Sequence, residues 1–155
     1  MLKFTIGADI SKDKINFALR YLNDFPLERE VENTTSALNK FIKEVLSFVK
    51  KFAKENKSIH SIDFIMEHTG IYGNLLIECL AGHKLNMYVV SGLEIKNSTG
   101  ISRGKNDKID AKRIADYGLR FADKLKPYTL CDKTLTEIIG LNTIRAQLVR
   151  IKSQL

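Results

Sequence analysis

The stretch Lys3-Phe-Thr-Ile-Gly-Ala-Asp9 decides the fold of this chain. Residues 3–10 are mostly apolar, which is typical of a central β-strand that is covered on both faces. A carboxylate, Asp9, stands where this strand ends. The stretch Ile62-Asp-Phe-Ile-Met-Glu67 follows the same pattern and ends on Glu67. The sequence therefore predicts two buried strands that each carry an acidic side chain to the edge of a sheet.

Two further acids open a helical pattern in Asn106-Asp-Lys-Ile-Asp-Ala-Lys-Arg-Ile. Asp107 and Asp110 are three residues apart, a spacing that places their Cβ atoms on one helix face about 5–6 Å apart. The helix dipole favours acids in a first turn, so an N-cap role for Asp107 and a dipole role for Asp110 are the alternative. Converging with Asp9 and Glu67, these carboxylates would form a hard-oxygen site for Mg²⁺ or Mn²⁺.

The remaining patterns give the order of the elements. We predict a meander of three strands, a long helix capped by Thr34 or Thr35, and then alternating strands and short helices. The predicted strands are 3–10, Lys14–Leu22, Pro26–Asn33, Ser61–Glu67 and Leu85–Val90. Helices are predicted at Gly73–Gly82 and from Asp107 to about Ala122. Between these two helices we predict a capping box at Ser91–Glu94 and a mobile loop at 97–106. This order is that of a ribonuclease-H-like α/β fold, a mixed five-stranded sheet flanked by helices. Its first and fourth strands are central neighbours, which would bring Asp9 and Glu67 together.

Charge and composition narrow the class of protein. The chain has 155 residues and a net charge of +7. No apolar run approaches the ~20 residues that span a bilayer, and two cysteines are too few for a disulfide framework, so we expect a cytoplasmic protein without a membrane partner. Between Lys96 and Lys126, nine Lys or Arg stand against four Asp. A solvated basic face is the simpler interpretation, but this stretch surrounds two of the acids and suits a polyanion. The combination indicates phosphodiester chemistry.

The last segment carries an apolar seam with the 3-4-3-4 spacing of a coiled coil. Its members are Leu141, Ile144, Leu148, Ile151 and Leu155. We expect residues 1–126 to form the catalytic domain and residues 127–155 to begin a helical, coiled-coil-type segment through which copies of the chain associate. The alternative is a helix that packs on the domain's own core. Because the seam has no stop signal, we expect the chain to be a fragment of a longer protein.

Three motifs resemble those of a known enzyme family. Gly7-Ala-Asp9-Ile-Ser-Lys12-Asp, Met66-Glu67-His-Thr69-Gly70-Ile-Tyr72 and Lys105-Asn-Asp107-Lys-Ile-Asp110-Ala are similar to motifs in the N-terminal DEDD domain of Piv/MooV-type insertion-sequence transposases. This is the "one hundred and ten" insertion-sequence family, whose members are also called bridge-RNA-guided recombinases. The resemblance spans residues 3 to about 120, and the segment from Leu135 resembles the helical region that follows this domain.

The resemblance implies a RuvC-like domain whose catalytic, metal-binding set is Asp9, Glu67, Asp107 and Asp110, with two Mg²⁺ or Mn²⁺ ions. It implies a transposase that acts on DNA phosphodiesters, is guided by a bridge RNA and works at the prokaryotic nucleoid. Family members attack DNA with a serine in a second domain, so we expect residues 1–155 to be inactive in recombination by themselves. His68 stands where the family often has a small residue, and either touches the site or is incidental.

Six basic residues would hold the nucleic-acid backbone, each with a solvated surface charge as the alternative. They are Lys12, Arg103, Lys105, Lys108, Lys112 and Arg113.

Three other functions are also compatible with the sequence. A stand-alone resolvase of Holliday junctions, or a nuclease, would cleave without a missing domain. A sugar-kinase or actin-like ATPase fragment is suggested by the hairpin-like Gly7-Ala-Asp-Ile-Ser-Lys12, and an RNA-binding module would use its acids only for structural ions.

Overall fold

The computed structural model describes residues 2–56, 60–99, 107–130 and 133–153. They form a five-stranded mixed sheet with the strand order β3-β2-β1-β4-β5. The strands are β1 (Leu2–Ile10), β2 (Lys14–Tyr21), β3 (Asp24–Glu32), β4 (His60–Glu67) and β5 (Asn86–Val90). The helices are α1 (Thr35–Asn56), α2 (Asn74–Gly82), α3 (Gly92–Thr99), α4 (Asp107–Arg120) and α5 (Lys133–Lys152), with a 3₁₀ turn at Gly70–Gly73.

The centre of the sheet is the pair that the sequence predicts. β1 runs antiparallel to β2 and parallel to β4, with Ala8 opposite Met66. β3 lies at one edge and β5 at the other. The predicted ribonuclease-H-like order is therefore confirmed, with strand bounds that differ by only one or two residues from those expected.

The main core lies between one face of the sheet and α1. Phe4, Ile6 and Ala8 alternate along β1 and are fully buried there, because successive side chains of a strand point to opposite faces. The apolar stripe of α1 packs against them through Leu38, Phe41, Ile42, Val45 and Val49. The Thr34 hydroxyl accepts a hydrogen bond from the Ala37 amide at 3.4 Å, so Thr34 is the residue that caps α1.

The opposite face of β1 and β4 is covered by α4, which approaches it closely at two glycines. A Cβ placed on Gly7 would collide with the backbone of Ala111 and Ala115. A Cβ placed on Gly118 would collide with the side chains of Ile65 and Thr5. Since Thr5 precedes Gly7 and Gly118 follows Ala111, α4 runs back along β1. Its first turn therefore lies above the edge at which β1 and β4 end.

Residues 97–99 were expected to begin a mobile loop, but they form the last turn of α3, where the Ser98 hydroxyl donates to the Ile95 carbonyl at 2.7 Å. The rest of that predicted loop, residues 100–106, lies outside the described residues. The prediction failed at residues 97–99 because a short, mostly exposed helical turn needs no apolar periodicity.

The C-terminal helix α5 is present, and its seam is not buried against the domain. Leu141, Ile144, Leu148 and Ile151 are all more than half exposed. The alternative in which these residues pack on the domain's own core is therefore wrong, whereas pairing with another copy stays a prediction. Leu155 lies outside the described residues.

Across the described parts of the chain, none of the helices combines the length and the apolar character needed to cross a membrane.

The close approach of α4 makes Gly7 a sensitive position. Gly7→Ala should lower the free energy of unfolding by roughly 1–3 kcal/mol, because its methyl group meets helix backbone that cannot move aside alone. Gly82→Ala is the matched control, since a Cβ there meets nothing within 4 Å. The control should be neutral or slightly stabilising. Equal thermal denaturation midpoints for Gly7→Ala and the parent would contradict the packing described.

Candidate active site

Asp9 and Glu67 lie side by side at one edge of the sheet. They follow the paired residues Ala8 and Met66, so they occupy neighbouring positions at the carboxyl ends of parallel strands. Both are half-buried. They share the face that α4 covers, because Gly7 of β1 and Ile65 of β4 point to α4 and side chains two residues apart point the same way.

The first turn of α4 brings two further acids to this edge. α4 begins at Asp107, and Ala111 in its second turn contacts Gly7. Asp110 is half-buried, and its carboxylate accepts a hydrogen bond from the Arg113 guanidinium at 3.0 Å. The Asp107 side chain lies outside the described residues, although its backbone starts the helix. The fold thus places Asp9, Glu67 and Asp110 at one edge of the sheet, where α4 begins.

The described acids do not by themselves form a closed ligand cluster. Among the side chains that the structure describes, no group of three or more His, Cys, Asp or Glu is close enough to hold a metal ion. Asp9, Glu67 and Asp110 are nevertheless hard oxygen donors of the kind that Mg²⁺ and Mn²⁺ prefer. The chemistry of these three donors fits such ions.

Gly92 is a site residue that sequence reasoning missed. A Cβ at this position would collide with the Glu67 carboxyl group, so Glu67 keeps this side-chain position only because residue 92 is glycine. The sequence signal is the Ser91-Gly92 pair directly after a strand, a pattern that predicts only a helix cap. His68 has an exposed side chain, and its amide donates to the Val90 carbonyl at 2.9 Å. The backbone of His68 thus joins the ends of β4 and β5.

A side-chain hydrogen bond ties α3 to α4 beside the acidic edge. The Tyr117 hydroxyl of α4 donates to the Glu94 carboxylate of α3 at 3.3 Å. Burial raises the pKa of Tyr117, and the charge of Glu94 and this hydrogen bond raise it further. Tyr117 therefore stays protonated as a donor at neutral pH. Glu94, predicted as part of a capping box, links two helices instead of acting only within its own.

The predicted nucleic-acid contacts differ in their surroundings. Lys12 is exposed in the turn between β1 and β2. Lys112 pairs with Glu28 at 2.9 Å and lies 5.2 Å from the centre of the Phe25 ring, and Arg113 pairs with Asp110. Arg103 and Lys105 lie outside the described residues, as does the side chain of Lys108. Half-exposed ion pairs are weak, so these pairings leave Lys112 and Arg113 able to exchange partners.

A small cleft of about 200 Å³ lies along α4, next to the end of α3. It is lined by Ser98, Arg113, Asp116, Tyr117 and Arg120. Asp116 forms an ion pair with Arg20 of β2, which anchors α4 to the neighbouring strand. The cleft thus continues from Arg113, at the acidic edge, along the helix to Arg120.

The domain is of the RuvC-like, ribonuclease-H type. Three features define it: the strand order, the carboxylates at the ends of β1 and β4, and the helix above them. The chain belongs to the IS110-type DEDD transposase family, because the family model, described as "Transposase", matches residues 6–155. Among curated proteins, none matches the sequence significantly.

A solved structure shows the same fold at low sequence identity. Thermus thermophilus RuvC in complex with a Holliday junction substrate aligns with a TM-score of 0.55 and 10% identity, covering 83% of this chain and 99% of that one. A second Thermus thermophilus RuvC structure aligns with a TM-score of 0.47 and 9% identity, covering 83% of this chain and 100% of that one. At such identity the first likeness establishes the fold alone.

Proposed function

We propose that this chain is the metal-dependent catalytic domain of a DNA transposase that acts on DNA phosphodiesters during insertion-sequence transposition. The observation that carries the proposal is the placement of Asp9 and Glu67 at adjacent strand ends, under the first turn of α4. Membership of the transposase family supports the reaction class.

In this proposal four carboxylates hold two Mg²⁺ or Mn²⁺ ions. Asp9 and Glu67 would bind from the sheet, and Asp107 and Asp110 from the helix. When bound, such ions polarise the scissile phosphate and stabilise the leaving oxygen. The chain's own contribution is to fix the carboxylates: Gly92 leaves room for the Glu67 carboxyl, and Gly7 sets the height of α4 above the strands.

Basic residues around the edge would hold the nucleic acid. Lys12 stands on the turn that follows Asp9, and Arg113 lies one helical turn beyond Asp110. Both positions suit phosphate contacts on either side of the acids, because cations lining a site attract and retain a polyanion. The family resemblance supports a bridge RNA as the guide and the prokaryotic cytoplasm as the location, and we propose both on that ground.

Metal binding at this edge is the direct test. Asp9→Asn removes a charged oxygen ligand, and Gly92→Ala places a methyl group where the Glu67 carboxyl lies. Each should weaken Mn²⁺ binding roughly tenfold or more in calorimetric titration, as losses in and around metal sites do. The fold should survive, because the Glu67 side chain can swing aside and because removing one of several like charges relieves repulsion.

The control for this titration is Asp123→Asn, which neutralises an exposed acid in the turn after α4, away from the edge. It should bind Mn²⁺ as the parent does. Unchanged affinity in Asp9→Asn and Gly92→Ala would show that the ions, if bound, lie elsewhere, and the assignment would be wrong.

Nucleic-acid binding should depend steeply on salt. On duplex DNA, log affinity falls with log salt by about 0.9 for each phosphate contacted. Changing Lys12 and Arg113 together to Gln should flatten this slope by up to about 1.8, provided that each holds one phosphate. The matched control is the double variant Lys50→Gln, Lys51→Gln, which removes two exposed charges from α1 on the opposite face. Identical slopes for the two double variants would mean that Lys12 and Arg113 are merely solvated.

A further inference from the structure

Exposed apolar side chains surround the acidic edge. Ile71 and Tyr72, in the 3₁₀ turn just after β4, are 74% and 42% exposed. Leu93, beside Gly92 at the start of α3, is 66% exposed, and Ile109, in the first turn of α4, is 42% exposed. Single exposed apolar residues are common on protein surfaces. Here three elements that converge on one edge present four such residues, two of them on the 3₁₀ turn, which points to a bound partner with an apolar surface.

The turn that carries Ile71 and Tyr72 is firmly held. The Asn33 amide group donates to the Tyr72 carbonyl at 3.0 Å and to the Ser11 carbonyl at 3.2 Å, and it lies 3.4 Å from the Lys12 carbonyl. Asn33 therefore joins this turn to the turn between β1 and β2. The polypeptide enters through Gly70, whose φ of +64° suits glycine, and leaves through the buried Gly73.

Because the backbone of the turn is anchored in this way, the exposure of Ile71 and Tyr72 is set by the fold. The turn is held at its C-terminal side, where Gly73 is buried, and at its backbone, where Tyr72 accepts the Asn33 hydrogen bond. Ile71 and Tyr72 are thus presented to solvent by a backbone that cannot easily fold them inward. A preorganised apolar surface binds a partner at a lower entropic cost than a flexible one.

The position of this surface indicates what it binds. It lies four and five residues beyond Glu67, and the same Asn33 ties it to the turn that carries the cationic Lys12. A strand whose phosphates rest between Lys12 and the acids would carry its bases within reach of the turn. Aromatic rings and apolar side chains stack with nucleobases, but a base inside a duplex is already stacked, so only an unpaired base is accessible.

We propose that Ile71 and Tyr72 form a platform that receives an unpaired nucleobase of the strand bound at the acidic edge. This inference rests on the proposed function, because it takes the strand's position from the carboxylate site. It adds a preference for DNA with an extruded base over fully paired duplex. Tyr72 supplies the ring face, and Ile71 covers the side of the base.

The test compares two DNA probes of the same sequence, one fully paired and one with a single unpaired 2-aminopurine. Binding is measured in Ca²⁺, which carboxylate sites accept. The parent should bind the unpaired probe more tightly and quench its fluorescence. Tyr72→Ala should lose roughly tenfold in affinity for that probe, as the loss of one stacking contact implies, and less than about twofold for the paired duplex.

Three further variants sharpen the result. Tyr72→Phe should behave as the parent, because the ring and not the hydroxyl makes the contact. Ile71→Ser should show a smaller loss confined to the unpaired probe. Tyr128→Ala is the matched control: Tyr128 is 38% exposed, and its amide donates to the Met87 carbonyl near the start of β5, at the opposite end of the sheet. It should leave both affinities unchanged.

The outcomes separate this inference from the function beneath it. If Tyr72→Ala binds both probes as the parent does, the platform is refuted while nucleic-acid binding stands. Equal weakening of both probes would make Tyr72 a general contact and would also refute the base preference. If the parent binds neither probe, the proposed function fails and the platform fails with it. A parent that sediments as a dimer, and Tyr72→Ala as a monomer, would assign the surface to self-association instead.

Discussion

The contact of the α4 backbone with Gly7 is the constraint on which the rest of the site depends. Because Gly7 has no side chain, Ala111 and Ala115 rest directly on the central strand. Gly118 provides a second close approach, over Thr5 and Ile65. Two such contacts fix both the height and the direction of the helix. The first turn of α4 consequently stands at a fixed position above the ends of β1 and β4.

That geometry gathers like charges, and the surrounding residues partly balance them. Asp110 has Arg113 on its own helix as a counter-ion at 3.0 Å. The Glu67 carboxyl is packed against Gly92, and the Tyr117–Glu94 hydrogen bond holds α3 beside α4. In a half-exposed ion pair the attraction is modest. We propose that a divalent cation bound at this edge competes with Arg113 for Asp110 and leaves the guanidinium available to a phosphate.

Much of this arrangement could be predicted from the sequence, because its strongest signals are local. The apolar run that ends on Asp9 and the one that ends on Glu67 gave both central strands, and the spacing of Asp107 and Asp110 gave the start of α4. The parts that were missed depend on contacts between distant segments. Gly92 contacts the Glu67 carboxyl although the two residues are 25 positions apart in the sequence. Asn33 donates a hydrogen bond to the Tyr72 carbonyl from 39 positions away. Neither partnership leaves a periodic pattern. Residues 97–99 were misassigned because polar residues with weak periodicity also form exposed helical turns.

We propose that divalent ions bind where β1, β4 and the first turn of α4 meet. The most direct measurement is anomalous diffraction from crystals grown with Mn²⁺, which locates the ions without reference to activity. Our account predicts anomalous peaks at the Asp9 and Glu67 carboxylates, with Asp110 turned from Arg113 towards the ions. Well-ordered Asp9 and Glu67 with no peak between them, at Mn²⁺ concentrations that saturate binding in solution, would contradict it.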